Sequence, residues 1–218
     1  MDELKAFNEK RAEIYWWISG LFVRELSETE LDQYQSDELK TFVEGLGEVP
    51  ILTEPSDDLL HCINQLRTME DAQIVLASDF NDLFLSSNQN VISTCASHYR
   101  NVANPSLHTS TQEIVALMAS HYVTVDPSNK EPADHISNEL DFLGNLIIRS
   151  NELEKLAHFN EALTEQEMFI RRYLLSWLYD FREQLNHKDS FGFYASIARL
   201  LVCFLELDCE YLATKQRL

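Results

Sequence analysis

Glycine and proline are scarce in this chain, with five of each among 218 residues. An all-β fold needs many turn-makers, so the shortage argues for long helices joined by a few loops. Basic charge is scarce too. Seventeen Lys and Arg stand against thirty-six Asp and Glu, a formal net charge of −19. That balance disfavours nucleic acid and stable association with an anionic membrane, both negative, and favours a basic peptide or a cationic ligand. Solubility alone is the bland explanation of the same charge. The four cysteines, Cys62, Cys95, Cys203 and Cys209, contain no Cys-x-x-Cys pair and read as buried free thiols of a reducing compartment. The chain has no Gly-x-x-x-x-Gly-Lys phosphate loop and no Gly-x-Ser-x-Gly elbow, and its Gly45-x-Gly47 lacks the context of a dinucleotide fingerprint. Its most apolar stretch, Phe191 to Leu207, is short and interrupted by Arg199, so no membrane span is expected. The start, Met1 to Lys5, is acidic and without the pattern of a secretion signal. A cytoplasmic location is the expectation.

What is present points to helices. Hydrophobic residues make up 45% of the chain and charged ones 24%, a globular balance, and a chain of this length buries roughly 70% of its unfolded surface. A first helix is predicted over 3–25, with Phe7, Ile14, Ile18 and Leu21 on one face. Ser27 to Glu30 spells a capping box that opens a second helix through Leu31, Tyr34 and Leu39. Short helices are expected at about 56–67 and 70–85, and another over 111–123. Residues 151–162 read as a polar segment, 165–186 as a regular amphipathic helix, and Phe191 to about Thr214 as an apolar core helix. The prediction is an all-α bundle of about nine to ten helices around that C-terminal helix, forming one domain over 1–218. The polar run at 126–131 divides it into helical halves, 1–125 and 132–218. A hinge there permits exchange of the C-terminal half between chains, giving a swapped homodimer beside the monomer.

The most informative run extends from Glu131 to Leu143. Pro132 suits a helix first turn, where its missing N–H has no partner to lose. Asp134 then falls in that turn, where the helix dipole favours an acid. Ile136, Leu140, Leu143 and Ile147 define a buried stripe. His135 lies at the edge of that stripe beside Glu139, while Asp134 faces away. On this reading Asp134 and His135 are dispensable for folding. Chemically, His135 and Glu139 could serve as an acid/base or metal pair of a small helical hydrolase. A helix-surface contact is the structural alternative, and no second histidine stands at matching spacing.

Glu131, Pro132, Asp134, His135, Glu139, Leu140 and Phe142 resemble the signature of the TorD family, dedicated cytoplasmic chaperones of molybdoenzymes. Asp79 to Phe84, Ser97 to Tyr99 and Glu167 to Phe181 are similar to further elements of that family. The chain is most like members dedicated to trimethylamine-N-oxide reductase. Val123 to Val125 stands where the family often has a glycine. The resemblance implies a non-enzymatic chaperone that binds an apo-molybdoenzyme and its twin-arginine leader. It would hold that enzyme competent for molybdenum cofactor insertion before export. It implies no resident cofactor, weak guanine-nucleotide binding aside, and no metal. The residues it marks for partner binding are Glu131, Pro132, Asp134, His135 and Glu139, with Asp79, Phe80 and Phe84 lining the same groove. A generic acidic adaptor is the remaining alternative.

Overall fold

A computed structural model describes residues 2–86, 91–99, 111–123 and 131–215. Among them are helices and turns and no strand; an isolated bridge pairs Cys95 with His135. In chain order the α-helices are α1 (Asp2–Val23), α2 (Glu28–Tyr34), α3 (Asp37–Gly47), α4 (Thr53–Leu66) and α5 (Ala72–Phe80). They continue with α6 (Thr111–Ser120), α7 (Ile136–Ser150), α8 (Leu156–Phe169), α9 (Leu175–Lys188) and α10 (Phe193–Lys215). Wider π turns extend α5 over Asn81–Leu85 and join α8 to α9 over Ile170–Leu174. The fold is all-α, as the sparse glycine and proline imply.

Local sequence explains most of the boundaries. Ser27 accepts from the Glu30 N–H while Glu30 reaches back to Ser27, the expected capping box of α2. The single second helix expected there is two, because Ser36 caps a fresh start by accepting from the Leu39 N–H at 3.2 Å. Residues 156–162, expected to be merely polar, belong to α8, which buries Leu163, Gln166 and Phe169 further along. Phe7 is 46% exposed, not part of the α1 core face, and rests against Tyr211 with ring centroids 4.8 Å apart.

The chain forms two compact units. The first comprises Met1–Val23, Thr94–Leu178 and Leu205–Leu218, the second Arg24–Ser93 and Tyr179–Phe204. The hinge expected at 126–131 lies, apart from Glu131, outside the described residues. In the first unit α1 runs along α7, with Tyr15, Ile18, Leu21, Ile136, Leu140, Leu143 and Ile147 buried. Gly144 makes the approach close: a Cβ there would stand 2.4 Å from Trp16 Nε1. The second unit is built on Leu59, Ile63, Leu76, Phe80, Phe181, Phe193 and Tyr194, all buried. From Phe193 to Val202 only Arg199 of α10 is not fully buried, which fits the expected core helix.

Candidate functional site

The run from Glu131 to Glu139 is a turn followed by a helix start, not a helix from Pro132 onward. The Pro132 carbonyl accepts from the His135 N–H at 3.0 Å and from Asn138 Nδ2 at 2.7 Å, closing the turn. His135 is the N-cap of α7: its Nδ1 accepts from the Ser137 N–H at 3.2 Å and lies 2.6 Å from Ser137 Oγ. An Nδ1 that accepts carries no proton, so the ring proton sits on Nε2, 3.7 Å from Glu131 Oε2. Burial lowers the His135 pKa below its usual value, against the raising influence of Glu131 and Asp134.

Asp134 precedes the helix and does not face away. It is 2% exposed and His135 3%, which corrects the expectation that Asp134 faces away from the core and that His135 makes only a partial contact at the stripe's edge. The Asp134 carboxylate accepts from the Ser97 N–H and its carbonyl from the Ala96 N–H, each at 2.9 Å. The Ile136 N–H donates to the Thr94 carbonyl, also at 2.9 Å. Residues 94–97 are thereby strapped across the mouth of α7. Glu139, one turn in, is fully buried. Trp177 Nε1 donates to its Oε2 at 3.1 Å, and among the described residues its Oε1 has no hydrogen-bond partner. Burial raises the Glu139 pKa well above its usual value, against the lowering influence of the Trp177 hydrogen bond, and so favours the protonated form. Glu131 is half-buried and Pro132 exposed; of the five residues they alone offer more than a trace of surface.

Asp79, Phe80 and Phe84 belong to the second unit. Phe80 and Phe84 are buried and pack edge-on against Tyr194, at 5.6 and 5.3 Å. They serve that unit's core and do not line an open surface. Asp79 borders an open hollow of about 500 Å³ with Ile74, Val75, Asp82 and Phe191. Its carboxyl is pushed up to about 7, first by burial, then by the charge of Asp189 and a hydrogen bond to it. Asp189 in turn accepts from the Gly192 and Ala195 N–H groups at 2.7 and 2.8 Å, at the start of α10. The eight sequence-predicted residues therefore form two groups, one in each unit.

The chain matches the family described as nitrate reductase delta subunit over residues 52–183. It is 49% identical over 212 residues to "Chaperone protein TorD" of Vibrio parahaemolyticus, covering 97% of this chain and 99% of that one. It is 46% identical to the protein of the same name from Vibrio atlanticus, over 98% of this chain and 99% of the other. The Vibrio cholerae relative is 41% identical over 95% and 94%. The chain belongs to the TorD family of chaperones.

Membership of the TorD family disposes of the hydrolase reading, since the relatives are named chaperones and not enzymes. Geometry agrees, because the His135 and Glu139 side chains have separate partners, Ser137 and Trp177. Among the described residues no group of three or more His, Cys, Asp or Glu could hold a metal ion, and no helix is long and apolar enough to cross a membrane. The cysteines are free, and burial pushes the thiols of Cys62, Cys95 and Cys209 up to about 11, where they are poor nucleophiles.

Sequence reasoning missed a buried polar network in the first unit of this TorD-family chain. Arg11, only 2% exposed, makes a two-pronged pair with Asp208, Nε to Oδ1 at 2.6 Å and Nη2 to Oδ2 at 2.8 Å. Tyr15 donates to the same carboxylate, and Gln166 and Asn8 accept from the guanidinium. Asn8 then donates to Asn151 at 2.8 Å. A signal existed: Asn8, Arg11 and Tyr15 recur at three- and four-residue spacing on the buried face of α1.

Proposed function

We propose that the chain is the dedicated chaperone of a molybdoenzyme, trimethylamine-N-oxide reductase, acting in the cytoplasm. It binds the apo-enzyme and its twin-arginine leader, keeps the enzyme open for molybdenum cofactor insertion and delays export until insertion is complete. The observation that carries this reading is near full-length similarity to proteins named chaperone protein TorD. Physical chemistry supports it. A leader combines paired arginines with an apolar run. The first suits a chain of net charge −19, and the second suits a helical chaperone that leaves apolar side chains exposed. Burial of each leader Leu or Phe contributes roughly 1.5–3 kcal/mol, and an exposed Arg–carboxylate contact about 0–1. Affinity is therefore set by apolar burial and selectivity by charge.

The test is a titration of a synthetic leader peptide at low and high salt, run beside reductase activity in a strain lacking the chaperone gene. Binding that weakens only a few-fold in high salt, with activity restored by the chain, is expected. Collapse of affinity on screening would instead identify a generic acidic adaptor. Normal reductase activity without the chain would remove the chaperone role.

A further inference from the structure

In the first unit, the start of α1, the turn at 150–154 and the start of α8 enclose a hollow of about 400 Å³. That volume lies within the ~300–1,000 Å³ range of sites that engulf a ligand. Leu4, Leu153, Leu156 and Phe159 line it. Leu156 is 73% exposed and Leu153 is exposed as well, so folding leaves these side chains uncovered. Glu152 and Glu154 stand on the same turn, both exposed. Among the described residues neither is in an ion pair. The wall is held from behind: Asn151 donates to the Lys5 carbonyl at 3.3 Å and accepts from Asn8, itself bound to Arg11. A shaped apolar hollow with a buried polar brace and two unpaired carboxylates at its edge is preorganised for one kind of guest.

We propose that this hollow seats the apolar run of the partner's leader peptide, with Glu152 and Glu154 receiving its paired arginines. The proposal rests on the leader-binding reading above and names where on the chain binding occurs. An apolar guest without flanking cations would leave the two carboxylates unanswered, and one with flanking acids would be repelled. Lys5, on α1, is the one cation of the lining, and the two carboxylates of Glu152 and Glu154 outnumber it. The Glu131–Glu139 frame is too deeply buried to offer a comparable apolar seat.

The experiment uses the full chain and a synthetic peptide with an Arg-Arg pair followed by a leucine-rich run, titrated calorimetrically. Because Leu156 is mostly exposed, Leu156→Glu leaves the fold intact, which a melt verifies. It should weaken the peptide about tenfold or more, as loss of one buried leucine implies. Glu152→Gln with Glu154→Gln should weaken it about two- to fivefold at low salt and hardly at all at high salt. Ile51→Glu, at an exposed apolar position in the second unit, should bind as wild type. A wild-type chain that ignores the peptide overturns the leader-binding reading itself. Wild-type binding that Leu156→Glu leaves untouched overturns the hollow alone. A change in oligomeric state with peptide affinity unchanged also overturns it and gives the hollow to a second copy of the chain.

Discussion

Burial reverses what sequence alone implies for the Asp134 and His135 side chains. An acid in an exposed first turn loses only a dipole interaction when removed, about 0.3–1 kcal/mol. Asp134 instead answers the Ser97 N–H inside the protein. Asp134→Ala leaves that donor in want of a partner and should cost about 1–3 kcal/mol in urea unfolding. His135→Ala removes the N-cap of α7 and should cost about 0.5–2 kcal/mol, most of it restored by His135→Asn, which caps equally well. Wild-type stability in both alanine variants would return the pair to the surface. Glu139 gives a sharper contrast. Its carboxyl accepts from Trp177, and burial favours the protonated form, so Glu139→Gln, which keeps that acceptor, should cost no more than about 1 kcal/mol. Glu139→Ala strands the indole N–H, opens a cavity and should cost about 2–4 kcal/mol.

At the scale of elements, the α1–α7 contact depends on Gly144. A methyl group there would overlap the Trp16 ring, 2.4 Å from Nε1 and 2.7 Å from Cε2. Gly144→Ala should therefore lower stability by about 1–3 kcal/mol. Adding Trp16→Ala should recover part of that loss, a non-additivity that paired thermal melts measure directly. The helical pattern was legible because apolar spacing reports a stripe where one face is buried, as expected for α7, and a near-continuous apolar run where a helix is buried all round, as on α10. It failed where the deciding information was not periodic. The division between α2 and α3 hangs on one serine hydroxyl, at Ser36. A helical wheel turns Asp134 toward solvent, yet Asp134 lies in the turn before α7 and 94–97 covers it, a contact that no local pattern encodes. The signature marked the right stretch of chain but not its depth. Phe80 and Phe84 fit an aromatic groove by residue type, but only the packing of Tyr194 shows that they are core.

Across the whole molecule, the half-buried Asp79 and the buried Glu139 set an unusual dependence on pH. Asp79 titrates near 7 when folded and near 3.8 as a free group; Glu139 is raised in the same direction from 4.5. Between those limits the folded state holds protons that the unfolded chain has released. Stability therefore falls as pH rises through the window from about 4 to 7. Self-repulsion of a chain carrying −19 grows in the same direction. His135 acts at the other end. Its folded pKa is lowered from 6.5, so its contribution is present above that value and lost as pH falls and the buried ring must charge. The melting temperature should thus peak on the acid side of neutrality and decline toward pH 8. Asp79→Asn can still donate to Asp189 and Glu139→Gln can still accept from Trp177, yet neither can ionise. Combining them should flatten the decline between about pH 4 and 7 while leaving the acid limb in place. Melts across that range decide it: a double variant that declines as steeply as wild type would place the pH dependence in surface repulsion and not in these two acids.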